Sequence, residues 1–143
     1  MDMEELEHRV WQRVLGPAED MPLELKALML ESQALASGFG MLAKRAGEDK
    51  KPLLKKLHRE ELGILHTLKG ISRLLGQPVS LQPLPAPREP EGRLLEKSYR
   101  KCLRLRQEYL ARSAAGEFGE VFRLLGDRAE EQGIRICQVL GMM

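Results

Sequence analysis

Aromatic residues are scarce in this chain. One tryptophan, two tyrosines and three phenylalanines make up 4% of its 143 residues. With Leu, Glu, Arg and Ala abundant, that shortage points away from sheet and toward helix. Cysteine is equally thin. Cys102 and Cys137 are the only two, which excludes a disulfide-dense scaffold and suits reduced thiols, although a single bridge between them is left open. No strong charge of one sign is present. The net charge is +2, so no global field argues for nucleic acid or an acidic partner. No apolar run is long enough to span a bilayer. The N-terminus, Met1-Asp2-Met3-Glu4-Glu5, is acidic and lacks the features of a secretory signal. A cytoplasmic protein with one ordinary core is the expectation.

What is present is helical periodicity, punctuated by glycine and proline. Glu4 to Leu15 reads as a short amphipathic helix with Leu6, Val10 and Val14 on one face, stopped by Gly16-Pro17. Residues 1–20 are read as this helix and a linker, and residues 21–143 as one domain. Pro22 opens a helix running to about Ala46. A second runs from about Lys50 to Leu75 and ends at Gly76. A third spans roughly Glu91 to Ser113, and Gly116 separates it from a fourth, roughly Glu117 to Leu140. The stretch over about 77–90 holds Pro78, Pro83, Pro85, Pro87 and Pro90. Extended at about 3.1 Å per residue, it reaches the length of a bundle. Two antiparallel hairpins joined by one long crossover are therefore expected.

Phase then singles out two glutamates. At 100° per residue, Glu31 falls at the centre of a face with Ala27, Leu28, Ala34, Leu35, Gly38 and Leu42, with Glu24 nearby. Glu61 falls at the centre of Leu54, Leu57, Ile64, Leu65, Leu68 and Leu75, with His58 at the edge. The third face centres on Cys102, with Leu95, Ser98, Tyr99, Leu105, Arg106 and Tyr109 around it. The fourth carries Phe118, Phe122, Leu125, Ala129, Gly133, Ile136 and Leu140. A charge in a packing face is costly unless paired, hydrogen-bonded or bound to metal. The echo of Glu60-Glu61-Leu62-Gly63-Ile64 in Glu130-Glu131-Gln132-Gly133-Ile134 does not survive this test. Glu131 points away from its stripe, and both Glu130 and Glu131 are expected in solvent.

In this pattern the chain resembles the ferritin-like, rubrerythrin-type di-iron bundles. That family sets one Glu on each of two helices and Glu-x-x-His on each of the other two, with a long crossover between hairpins. Glu31-Ser32-Gln33-Ala34 resembles the first ligand helix. Leu57-His58-Arg59-Glu60-Glu61, followed by His66-Thr67-Leu68-Lys69-Gly70-Ile71, resembles the second. Tyr99-Arg100-Lys101-Cys102, Glu108-Tyr109-Leu110-Ala111-Arg112 and Glu117-Phe118-Gly119-Glu120-Val121-Phe122 resemble the third and the start of the fourth. The resemblance implies an all-α ferritin-like fold over roughly Leu23 to Leu140. It also implies that the ligand set is broken. Glu31 and Glu61 match family carboxylates, whereas Ile64, Cys102, Gly133 and Ile136 stand where a His, a Glu, a Glu and a His are expected.

Two functions lead as expectations, with a cytosolic adaptor that uses the basic stripe of the third helix as a weaker third. The preferred one is a non-catalytic structural, sensing or interaction module whose di-iron centre has decayed. Glu31 and Glu61 would then share a proton or pair with Arg106, and no cofactor would be required. The competing one is a reduced metal site of Glu31, Glu61, Cys102 and His58, holding iron or zinc for peroxide or redox chemistry. Cys102 and, more firmly, Cys137 are read as small buried hydrophobes. His8 and His66 carry no signal. Arg93, Lys97, Arg100 and Arg104 form a basic outer stripe without an aromatic platform or phosphate loop, so nucleic acid is not expected. Trp11 either caps the bundle or contributes to a homodimer.

Overall fold

The computed structural model describes residues 21–114 and 116–143. The helix expected over Glu4 to Leu15, with Trp11, lies outside the described residues, as does the side chain of Glu24. Four helices follow one another: α1 (Met21–Arg45), α2 (Lys51–Leu74), α3 (Glu91–Arg112) and α4 (Gly119–Gly141). Pro52 sits in the first turn of α2, where its missing N–H has no helical partner to lose. Gly76 (φ 74°) and Gly116 (φ 100°) take the left-handed conformation just beyond the ends of α2 and α3, which side chains with a Cβ disfavour.

Each helix presents a strict alternation of three- and four-residue steps to the core. On α1 the buried positions include Leu25, Leu28, Ser32, Leu35, Phe39 and Leu42, and on α2 Leu54, Leu57, Glu61, Ile64, Leu68 and Ile71. On α3 they are Leu95, Ser98, Cys102, Leu105, Tyr109 and Arg112, and on α4 Phe122, Leu125, Ala129, Gln132, Ile136 and Val139. This is the seam geometry of helices packed at a shallow angle.

The helices form two hairpins, α1 with α2 and α3 with α4, that pack together as a bundle. Between hairpins, α1 lies beside α3 and α2 beside α4, so α1–α4 and α2–α3 are diagonal. The starts of α2 and α3 share one end of the bundle, where Lys50 Nζ lies 3.4 Å from Glu91 Oε1. The crossover must therefore travel the full length. Residues 75–90 do so along α1: Gln33 Nε2 donates to the Gln82 carbonyl at 2.8 Å, and Arg45 Nη2 to that of Pro87 at 2.8 Å. Val79 and Leu81 pack against the core from this strap.

Phase on α1 corrects the sequence reading. The buried stripe centres near Ser32, not Glu31. Ala27 is exposed, and the Glu31 side chain keeps 34% of its surface. The mixed apolar content of α1, with Leu30 partly exposed and Met29 fully buried, let two phases fit almost equally well. Cys137 is also corrected: it is exposed, whereas Cys102 is buried. Gly70 lies exposed in the interior of α2 with nothing within 4 Å of where a Cβ would stand. Gly70→Ala should therefore raise stability by about 0.5–1 kcal/mol through helix propensity alone. A urea unfolding curve checks this, and an unchanged or lower midpoint would contradict it.

Candidate functional site: a polar layer across four helices

The seam carries one polar or thiol side chain from each helix at the same level. Ser32 on α1, Glu61 on α2 and Gln132 on α4 are each no more than 1% exposed, and Cys102 on α3 is buried beside them. Ser32 Oγ donates to Glu61 Oε1 at 2.7 Å. Gln132 Nε2 donates to Glu61 Oε2 at 2.8 Å. The Gln132 Oε1 then faces the Cys102 thiol at 3.9 Å, a weak S–H contact. Both Glu61 oxygens, the Ser32 hydroxyl and the Gln132 amide N–H have strong partners, and only the Gln132 Oε1–Cys102 contact is weak.

Electrostatics follow from the geometry. Burial pushes the Glu61 carboxyl from 4.5 up to about 7, and the hydrogen bonds from Ser32 and Gln132 only partly oppose it. No cation among the described residues contacts it. Burial also drives the Cys102 thiol well above its usual range, the neighbouring Glu61 charge adds to this, and Lys101 offsets a little. Cys102 is thus held as a neutral thiol, the form that is neither nucleophile nor metal ligand. One heptad further along α3, Tyr109 stacks on Phe122 with ring centroids 6.4 Å apart. Burial, then the Glu61 charge, raises its phenol, and its hydroxyl is buried with no hydrogen-bond partner among the described residues.

The four residues expected as a reduced metal site are not brought together. Glu31 lies outside the layer, bound by Lys101 Nζ at 3.1 Å and Arg104 Nη2 at 2.9 Å. His58 packs against Gly40, where a Cβ would stand 3.1 Å from its Nε2. Glu61 and Cys102 alone share the interior level. Among the described residues, no three His, Cys, Asp or Glu side chains form a metal-binding group. This donor set does not fit a di-iron centre, which needs bridging carboxylates and ligands on both irons. Ile64 and Ile136 are core residues, and a Cβ on Gly133 would stand 3.5 Å from the Tyr99 ring.

Other cations also sit differently from expectation. Arg106 does not reach the interior carboxylates. It pairs with Glu130 at 3.6 Å, which is more than half exposed. Arg104, assigned to the outer basic stripe, holds Glu31 from its exposed position. Arg135 of α4 pairs with Glu60 of α2, closing the second inter-hairpin seam.

Ser32 and Gln132 were missed by the sequence reading, which followed charges rather than spacing. The signal exists in the four-three steps: Leu125, Ala129, Gln132, Ile136 and Val139 on α4, and Leu28, Ser32, Leu35 and Phe39 on α1. Together, the fold and the site define a four-helix all-α bundle with a hydrogen-bonded polar layer in its core. No helix among the described residues is long and apolar enough to cross a membrane. No family model, no curated protein and no solved structure matches this chain.

Proposed function

We propose that this chain is a ferritin-like bundle of rubrerythrin type that has exchanged its di-iron centre for a hydrogen-bonded polar layer. It would serve as a non-catalytic structural, sensing or interaction module. The observation that carries the reading is the engagement of Glu61. Both of its oxygens accept bonds from uncharged donors on facing helices. The bundle topology with its lengthwise crossover supports the ancestry, and the cytoplasmic assignment rests on the sequence features given above. Self-association as a homodimer remains part of this reading, with no described residue required for it.

Metal analysis tests it. Protein purified without chelator should contain far less than one equivalent of iron or zinc. Anaerobic addition of Fe²⁺ or Zn²⁺ should leave the melting temperature unchanged, because a ligand bound only by the folded state would raise it. A stoichiometric metal that disappears in Glu61→Ala would instead establish the reduced-site alternative.

A further inference from the structure

The outer face of the first hairpin carries a feature unrelated to the core layer. A groove of about 880 Å³ runs between α1, α2 and the crossover, within the size range of small-molecule sites. It extends along α1 from Gln33 to Lys44, about 16 Å at the helical rise. Its two ends differ in chemistry. One end is lined by Lys44, Lys51, Lys55 and His58. No carboxylate lines the groove, and none of the three lysines has an ion-pair partner among the described residues, although Glu48 and Asp49 lie in the adjoining turn. The other end is mainly apolar: Leu62 and Leu84 are 37% and 41% exposed there, with Leu65 beneath them and Gln33 at the tip, its amide N–H held by the Gln82 carbonyl. Gly40 lets the His58 ring pack close against α1 in the floor, where a Cβ would stand 3.1 Å from its Nε2.

An uncompensated cationic end joined to an exposed apolar trough is complementary to a molecule with an anionic head and a single alkyl tail. We propose that this groove binds a free anionic amphiphile, a long-chain carboxylate or alkyl phosphate, with its head among Lys44, Lys51 and Lys55 and its tail along Leu62 and Leu84. An extended dodecyl chain matches the groove's length. Elsewhere on the surface, the paired cations Lys97, Lys101 and Arg104 already meet carboxylates, so they offer no equivalent anion site. The proposal is independent of the ancestry of the core, since no groove residue belongs to the polar layer.

Calorimetric titration of the full chain with dodecanoate and with dodecyl phosphate, each below its micelle concentration, tests the site. Saturable binding of one equivalent of either is expected, and the tighter of the two identifies the headgroup. Dodecyltrimethylammonium should bind at least tenfold more weakly. Lys51→Glu with Lys55→Glu should weaken binding at least tenfold, and so should Leu62→Gln, with the circular dichroism and urea midpoint near those of the parent. If the charge reversal impairs folding, Lys51→Gln with Lys55→Gln replaces it, and a fewfold loss is then expected. Equal affinity for the cationic amphiphile, or indifference to these substitutions, would overturn the proposal. Two further outcomes would also overturn it. Co-sedimentation with phosphatidylserine vesicles without dodecanoate or dodecyl phosphate binding would make the face a membrane contact. A dimer broken by the lysine substitutions, again without amphiphile binding, would assign it to a second copy.

Discussion

Stability should fall as pH rises from 5 to 8, and Glu61→Gln should abolish most of that fall. The folded-state carboxyl of Glu61 titrates near 7, against 4.5 for the ordinary group. The folded protein therefore holds a proton that the unfolded chain releases. A raised value contributes stability that is fully present below about 4.5 and is lost as pH climbs through about 7. At 1.36 kcal/mol per pH unit, the gap between the two values amounts to about 3 kcal/mol. Its physical content is the cost of keeping a carboxylate dry. Below its folded value the carboxyl can donate its own O–H to Ser32 Oγ, after that hydroxyl rotates, while Gln132 continues to donate to the other oxygen. Glutamine reproduces the shape and has no charge to desolvate. Urea unfolding at pH 5, 6.5 and 8 should show a declining free energy for the parent and a much flatter line for Glu61→Gln, with the variant the more stable at pH 8. Parallel lines would show that Glu61 is not the group that titrates.

The second large effect concerns the layer as a unit. Glu61→Leu removes the costly carboxylate but strands the Ser32 hydroxyl and the Gln132 amide, both buried. A stranded buried polar group costs about 1–3 kcal/mol, although Ser32 can turn to a carbonyl one turn back on its own helix. At pH 5, where Glu61 is protonated in the folded parent, Glu61→Leu should therefore destabilise by roughly 1–3 kcal/mol. At pH 8 the lost desolvation should bring it close to the parent. The triple variant Ser32→Ala, Glu61→Leu, Gln132→Leu removes every partner at once and adds apolar burial, at about 1.5–3 kcal/mol for each leucine-sized side chain. It should exceed the parent at both pH values by about 3 kcal/mol or more. Midpoints of urea unfolding order the three proteins. A triple variant weaker than the parent at pH 5 would mean that the hydrogen bonds outweigh apolar packing at this level. If the expected order holds, the layer's contribution lies in specifying which faces meet rather than in stability.

The relation of sequence to structure divides along physical lines. Helix ends were legible because single residues set them: Gly76 and Gly116 at positive φ, Pro52 in a first turn, and a proline-rich strap too long for a tight turn. Glu61 was legible because α2 has one strongly amphipathic phase. Glu31 was misplaced because α1 is apolar over much of its circumference, with Leu28, Met29 and Leu30 consecutive. A charge within such a helix looks central from several angles. The layer itself was invisible to a search for charged ligands, since two of its members, Ser32 and Gln132, are neutral and acquire meaning only through a carboxylate on another helix. Pairing choices such as Arg106 with Glu130 depend on side-chain reach across a helix groove, which periodicity does not encode.

The crossover along α1 has a thermodynamic consequence. Each hairpin closes through a short turn, but among the described residues the helices of the two hairpins pack along the α1–α3 and α2–α4 seams, and the strap of residues 75–90 is the covalent link between them. It acts as a tether that fixes the concentration at which one half encounters the other. Cutting it would leave the seams and the Glu61–Gln132 bond intact, yet docking would become a bimolecular association. The stability of the nicked protein would then depend on its own concentration, and dilution alone could separate what the intact chain holds together.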